Sequence, residues 1–173
     1  MSLKILDIGC NFPAWALHKY QLAEEFTYTG IEIAPPEITQ QPVFGIDYLK
    51  AKYPRAVKEF TNKDGTWKKL PDNFTIHFNT DALTWLKTHE EEYDILYLSN
   101  ILHELPDKWE KLYDLAMEHL KKDGLVYVSV FYNASIDKEF YFTIDDLVKL
   151  KNPITIQEEV QNGLLHQFWG NKL

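Results

Sequence analysis

The chain has 173 residues, of which 45% are hydrophobic and 14% aromatic, and its formal net charge at pH 7 is −8. This length suits a single domain over residues 1–173, and the hydrophobic content supports a packed core and excludes a disordered chain. The negative charge disfavours nucleic acids and anionic membranes as partners, because both require a basic surface.

The only cysteine is Cys10, which excludes an internal disulfide and a cysteine-based zinc site. No apolar run approaches the roughly 20 residues that span a bilayer, and the N-terminus lacks the basic and apolar regions of a signal peptide. We therefore expect a soluble, cytoplasmic protein with no metal centre and no contact with a membrane.

The first element is a short apolar run at residues 3–8, which predicts a buried parallel strand. A polar turn at residues 9–13 follows it, and a helix is predicted at residues 14–25. A strand, a tight turn and a helix in this order direct backbone N–H groups and a helix N-terminus at a ligand.

The letters LDIGC resemble the first motif of the class I S-adenosylmethionine-dependent methyltransferases, an acidic residue followed by Gly-x-Gly-x-Gly. Asp7 and Gly9 match this motif, whereas Asn11 and Pro13 replace its second and third glycines. Asn tolerates the left-handed backbone region, and Pro suits the first turn of a helix. The resemblance implies that Asp7, Gly9, Cys10 and Asn11 hold the methionine end of the donor.

The second predicted strand lies in residues 27–38 and closes at Glu32 and Ile33, before two prolines. An acidic residue at a strand end about 20 residues after the glycine turn suits a nucleoside site, because its carboxylate can accept both ribose hydroxyls. The letters GIEIAPPEI also resemble the family's second motif, which implies that Glu32 binds the ribose and that Ile33 belongs to the same cofactor site. The alternative is a surface acid at a strand end.

The segment at residues 34–73 contains five prolines, so a long helix is not expected there. Two short helical pieces are predicted at residues 46–53 and 54–60, and a turn is predicted at residues 62–65. The many aromatic side chains of this segment either complete a helix face or form a wall over the substrate.

A third strand is predicted at residues 74–79 by alternation, and a helix is predicted at residues 83–89. Asp81 and Ala82, between the two, match the family's third motif, in which the Asp side chain and the next backbone N–H read the edge of adenine. Asp81 could also be the N-cap of the helix, and the two roles can coexist.

A fourth, central strand is predicted at residues 93–98. The letters SNILHELPD that follow resemble the stretch that frames the methyl group in small-molecule methyltransferases, which places Asn100 in the cofactor site, facing the reacting centre. His103 is the candidate catalytic base, because histidine titrates near neutral pH. The alternative for His103 is a packing or capping role in a loop.

The remaining elements complete an α/β order. An amphipathic helix is predicted to start at its cap, Asp107, and to end at Gly124, and a fifth strand is predicted at residues 125–132. Two β-like runs at residues 154–161 and 164–169 are joined by Asn162 and Gly163, a strong hairpin signal.

A chain that alternates strands and helices and ends in a hairpin differs from the all-parallel dinucleotide-binding dehydrogenases and resembles the methyltransferases. The predicted fold is α/β: a three-layer Rossmann-like sandwich whose seven-stranded, mostly parallel sheet ends in an antiparallel C-terminal hairpin.

The resemblance implies an enzyme that binds S-adenosylmethionine and transfers its methyl group to a small-molecule acceptor by in-line displacement. A sulfonium donor is already activated, so the alignment of the acceptor supplies most of the acceleration. Asn11 and Pro13 favour an alternative, a methyltransferase-fold domain that has lost the donor site and binds a partner protein. We favour the enzyme, because Glu32 and Asp81 are both present.

Overall fold

The structure is a computed structural model. It describes residues 2–10, 25–36, 54–66, 72–99, 101–131, 155–157 and 165–172, and the single positions 47, 50, 51, 68, 70 and 146. In chain order, the elements are β1 (Leu3–Ile8), β2 (Phe26–Ile31), α1 (Pro54–Phe60), β3 (Phe74–His77), α2 (Ala82–Thr88), β4 (Tyr93–Ser99), a 3-10 helix (Leu102–Glu104), α3 (Trp109–Glu118), β5 (Leu120–Phe131), β6 (Thr155–Gln157) and β7 (Leu165–Asn171).

The described strands form one sheet in the order β3-β2-β1-β4-β5-β7-β6. Strands β1 to β5 are parallel, whereas β7 is antiparallel to both β5 and β6. The parallel part confirms the predicted α/β Rossmann-like class. The chain progresses outward from β1 in one direction to β3 and then restarts on the other side at β4. The carboxyl ends of β1 and β4 therefore flank the crevice in which sheets of this kind bind ligands.

The central strands are buried on both faces, which explains their nearly continuous apolar sequences. On one face, Leu6, Ile8 and Leu96 belong to a core that includes Leu86 of α2 and Leu112 of α3. The other face carries a second, more aromatic cluster, formed by Ile5, Cys10, Phe26, Tyr28, Phe74, Ile95 and Tyr97.

The predicted short helix at residues 54–60 is confirmed as α1. The turn predicted after it is also present, since the N–H of Gly65 donates to the carbonyl oxygen of Asn62 at 3.1 Å. Three predicted features lie outside the described residues: the helix at residues 14–25 except for its last residue, most of the helical piece at residues 46–53, and the turn at Asn162 and Gly163.

The prediction that Asp107 caps α3 is wrong, because the N-cap is Lys108, whose side chain makes no capping hydrogen bond. The carbonyl oxygen of Leu105 accepts instead from the N–H groups of Lys108, at 2.9 Å, and of Trp109, at 2.8 Å. The residue that follows the 3-10 helix thus supplies a backbone acceptor where a polar side chain was expected.

The predicted end of α3 at Gly124 is also wrong, because the helix stops at Glu118 and β5 begins at Leu120. Leu120 is fully buried and pairs with Tyr93 of β4, so tertiary packing overrides the helical periodicity of this segment. With ten residues α3 is the longest described helix, and no helix in the described ranges is long and apolar enough to cross a bilayer.

Candidate functional site

A cavity of about 390 Å³ lies at the carboxyl ends of β1, β2 and β4, beside the start of α2. Its walls come from the ends of β1, β2 and β4 and from the segments that follow β3 and β4, at Ile8, Gly9, Ile31 to Ile33, Thr80 to Leu83, Ser99, Ile101, Glu104, Leu105, Lys108 and Leu112. A larger cavity of about 480 Å³ opens near the far ends of α2 and α3 and contains none of the predicted site residues. The cavity at the switch point is therefore the candidate site.

The turn after β1 is shaped by Gly9, which has a φ of +69°. The N–H groups of Gly9 and Cys10 both donate to the carbonyl oxygen of Ile31, at 2.9 and 3.2 Å. A Cβ at position 9 would lie 2.9 Å from Cδ1 of Ile101. Glycine is required here for two reasons, the left-handed backbone and the contact with Ile101.

Asp7 and Cys10 lie behind this turn, and neither lines the cavity. Asp7 is 2% exposed, and its Oδ2 accepts a hydrogen bond from the Tyr28 hydroxyl at 2.7 Å. Cys10 belongs to the aromatic cluster on the same side of the sheet. Burial raises the pKa of the Cys10 thiol well above its usual range, so the thiol stays protonated and is not a nucleophile.

Glu32 follows β2 and lines the cavity, although it is only 6% exposed. Its Oε1 accepts from the N–H of Ala34 at 2.9 Å. Its backbone N–H donates to the carbonyl oxygen of His77, and its carbonyl oxygen accepts from the N–H of Thr80, both at 3.0 Å. The backbone of Glu32 is therefore fixed to the end of β3 and to Thr80, and its carboxylate is held by the Ala34 N–H. The neighbouring Ile33 is 67% exposed, a large apolar side chain left uncovered at the cavity.

Asp81 is the N-cap of α2, with Oδ1 accepting from the Thr84 N–H at 2.9 Å and from the Thr84 hydroxyl at 2.7 Å. The hydrogen bond from the Thr84 hydroxyl, followed by the one from its N–H, lowers the pKa of Asp81. The carboxyl is therefore ionised at neutral pH. Ala82, the first residue of α2, lies beside it on the cavity wall. Asp81 therefore has the N-cap role, which was one of the two roles predicted for it from the sequence.

The end of β4 contributes Ser99, whose Oγ lies 3.0 Å from the Oγ of Ser129 on β5. The 3-10 helix that follows is anchored by Leu102, which is fully buried. His103 lies in this helix, but its side chain is outside the described part of the structure, as are the whole residues Asn11 and Asn100.

Of the predicted site residues, the structure brings together five around one cavity, Gly9, Glu32, Ile33, Asp81 and Ala82. Among the described residues, no three His, Cys, Asp or Glu side chains are arranged to hold a metal ion.

Glu104 and Lys108 also line the cavity, and no sequence motif predicts Lys108 at this position. Lys108 lines the same cavity as Asp81, and its positive charge adds to the hydrogen bonds from Thr84 in lowering the pKa of Asp81. A helix capped by Asp107 would begin one residue earlier than the helix whose N-cap is Lys108. With the N-cap at Lys108, residues 101, 104, 105 and 108 fall on one side of the segment that leads into α3.

A parallel α/β sheet with an acidic residue after β2, an Asp-Ala helix start after β3 and a cavity between them defines a Rossmann-like domain with a candidate ligand site at the switch point. Residues 2–163 match the sequence model of a family described as "Methyltransferase domain". The chain belongs to this methyltransferase domain family, as its motifs predicted.

Solved structures agree on the fold. N-methyltransferase NodS from Bradyrhizobium japonicum WM9 is similar with a TM-score of 0.60 and 14% identity, over 99% of this chain and 86% of that chain. A SAM-dependent methyltransferase from Methanosarcina mazei has a TM-score of 0.62 and 20% sequence identity, and the match covers 99% of this chain and 93% of that chain. The 1,6-didemethyltoxoflavin-N1-methyltransferase from Burkholderia thailandensis has a TM-score of 0.59 and 16% sequence identity, and the match covers 99% of this chain and 71% of that chain. No curated protein sequence matches the chain.

Proposed function

We propose that this methyltransferase-family chain binds S-adenosylmethionine in the cavity at the switch point and transfers its methyl group to a small-molecule acceptor. The observation that carries the proposal is that Glu32 and the Asp81-Ala82 pair, which the family motifs assign to ribose and adenine, line the same cavity of about 390 Å³. Two of the structural relatives were solved with S-adenosylhomocysteine, which supports the choice of donor.

The ribose is assigned to Glu32. Its carboxylate lies at the cavity wall, and the hydrogen bond from the Ala34 N–H fixes its orientation before a ligand arrives. A carboxylate held in this way can accept from both ribose hydroxyls without losing much side-chain freedom on binding.

The adenine is assigned to Ile33, Asp81 and Ala82. The exposed side chain of Ile33 offers an apolar surface that a base would cover. Both capping bonds of Asp81 use Oδ1, which leaves Oδ2 to accept from the exocyclic amine. The N–H of Ala82 is at the first position of a helix, where no intrahelical acceptor exists, so it can donate to a ring nitrogen.

The methionine end is assigned to the turn that contains Gly9 and Asn11. Asp7 and Cys10 act from behind this turn, Asp7 as a buried carboxylate close to the positive ammonium and sulfonium groups of the donor.

When bound, the donor supplies a methyl group that is already activated. The chain has to align the acceptor with the sulfur–methyl bond and to receive a proton if the acceptor loses one. We assign these tasks to the segment after β4, with Asn100 facing the reacting centre and His103 as the base. An acceptor that attacks as a neutral amine needs no base before the transfer.

The acceptor class is proposed from a relative. The Burkholderia thailandensis enzyme was solved with the small molecule 1,6-didemethyltoxoflavin, which supports a small-molecule acceptor here. We also propose that Asn162 and Gly163 close a hairpin and complete a seven-stranded sheet, and the antiparallel pairing of β6 with β7 supports this. The cytoplasmic location stays a prediction.

Calorimetric titration tests the donor site. We expect S-adenosylmethionine and S-adenosylhomocysteine to bind the wild-type chain and to lose at least about tenfold in affinity in Glu32→Gln, a change of roughly 1.4 kcal/mol. Glu118→Gln is the matched control, since it removes the same charge from an exposed position at the end of α3. Its affinity should equal that of the wild type.

The second candidate, a partner-binding module without a donor site, is favoured by the replacement of two motif glycines by Asn11 and Pro13. The same titration separates the two functions. An absence of binding at millimolar ligand would favour the module, whereas binding that Glu32→Gln leaves unchanged would move the donor to a different site.

A further inference from the structure

Strand β2 holds the turn after β1 through three contacts. The carbonyl oxygen of Ile31 accepts the N–H groups of Gly9 and Cys10. Gly30 lies against Cys10 so closely that a Cβ at position 30 would be 2.8 Å from its Sγ. The third contact is the hydrogen bond of 2.7 Å from the Tyr28 hydroxyl to the carboxylate of Asp7, and Asp7 is the last polar residue of β1 before the turn.

The Tyr28 side chain is itself rigid. It is 1% exposed, and its ring stacks on Phe74 with a centroid distance of 4.6 Å and an interplanar angle of 27°. Burial raises the pKa of Tyr28 well above its usual range, so the hydroxyl stays protonated and donates. Tyr28 also packs in the same buried cluster as Cys10. The Tyr28 side chain is therefore associated with Asp7, which precedes Ile8 and Gly9, and with Cys10, which follows them.

We propose that Tyr28 is a positioning residue for the methionine end of the donor, acting through Asp7 and Cys10. The inference rests on the proposed function. A turn with a single motif glycine has fewer residues that suit its backbone, so its shape depends more on outside support. The fixed carboxylate of Asp7 also presents its charge from a defined position, and buried charge acts strongly over short distances.

This support acts on one half of the donor. The contacts of Tyr28 reach the turn at residues 7–10, whereas the assigned ribose and adenine groups come from Glu32 and from the start of α2. Removing the hydroxyl should therefore weaken binding of the amino-acid half and leave binding of the adenosine half unchanged.

The test compares two ligands on Tyr28→Phe, which keeps the ring and its packing. S-adenosylhomocysteine contains the amino-acid end, and 5′-methylthioadenosine lacks it. We expect about tenfold weaker binding of S-adenosylhomocysteine, and an affinity for 5′-methylthioadenosine within about twofold of the wild-type value.

Tyr93→Phe is the matched control, because Tyr93 is 2% exposed and its hydroxyl also donates to a carboxylate, that of Glu91 at 3.0 Å. It lies at the opposite end of the sheet from the cavity, at the start of β4. Both ligands should bind this variant as they bind the wild type.

Equal losses for both ligands in Tyr28→Phe would show a purely structural role and overturn the proposal, and so would unchanged binding of both. If Tyr28→Phe does not fold, Asp7→Asn replaces it, since it removes the charge that Tyr28 is proposed to orient and should show the same selective loss. A failure of the proposed function is recognised separately, because the wild-type chain would then bind neither ligand.

Discussion

Gly9→Ala changes the turn after β1 in two ways whose free energies can be separated. The φ of +69° places an alanine in the left-handed region, which costs roughly 1–2 kcal/mol. The added Cβ lies 2.9, 3.0 and 3.1 Å from Cδ1, Cγ1 and Cβ of Ile101. A rotamer change of Ile101 can move the first two atoms but not its Cβ, so overpacking adds about 1–3 kcal/mol.

We therefore expect Gly9→Ala to lower the free energy of unfolding by about 2–5 kcal/mol, measured by urea denaturation. The double variant with Ile101→Ala removes Cδ1 and Cγ1 but keeps the Cβ at 3.1 Å, so it should recover only a fraction of the overpacking part of about 1–3 kcal/mol and keep the backbone part. Strict additivity of the two single changes, within about 0.5 kcal/mol, would refute the contact between Gly9 and Ile101.

The same substitution should reduce donor affinity, because Ile101 lines the cavity and the added methyl group displaces it. Gly65→Ala is the control, since Gly65 has a φ of +88° in the turn after α1, whose residues do not line this cavity. We expect Gly65→Ala to lose stability and to keep the wild-type affinity for S-adenosylhomocysteine, and an equal loss of affinity in both variants would contradict this account.

Three further predictions concern groups elsewhere in the fold. Asp81→Ala should destabilise the chain by about 1 kcal/mol through loss of the cap. Hydrogen bonds lower the pKa of Asp81 in the folded state, so its contribution to stability is present above the unfolded-state pKa and is lost as the pH falls through the folded-state pKa. The free energy of unfolding of Asp81→Ala should therefore change less steeply with pH in acid than that of the wild type. His119→Leu should cost about 1–3 kcal/mol in urea, because it leaves the carbonyl oxygens of Leu86 and Glu91 without the ring nitrogens that lie 2.8 and 3.0 Å from them. Burial raises the pKa of Tyr93 to about 12, so stability should fall as the pH rises from the ordinary tyrosine pKa of about 10 towards 12, and Tyr93→Phe should reduce this fall in alkaline unfolding curves.

The sequence was sufficient to predict where the strands lie, because parallel strands buried on both faces have nearly continuous apolar sequences. It was not sufficient for the ends of α3. There the outcome depends on Leu105, whose backbone carbonyl replaces a side-chain cap, and on Leu120, which is buried by pairing with β4. Both are tertiary interactions, and no local preference of the sequence encodes them.

The candidate site was predictable where it depends on strand ends. Glu32 and Asp81 follow parallel strands, so they meet at one edge of the sheet. Asp7 illustrates the limit. Side chains alternate along a strand, so Asp7 faces the same side as Ile5, but the sequence does not say which side holds the cavity. Tyr28 belongs to no recognisable motif, and the positioning role proposed for it depends on its hydrogen bond with Asp7, which only the structure shows.

A crystal structure grown with S-adenosylhomocysteine tests the central claim most directly. The account predicts ribose hydroxyls within hydrogen-bond distance of the Glu32 carboxylate, and adenine against Ile33 and the Asp81-Ala82 helix start. Electron density that shows the side chains of Asn11 and Phe12 in this cavity and no nucleoside there would contradict it.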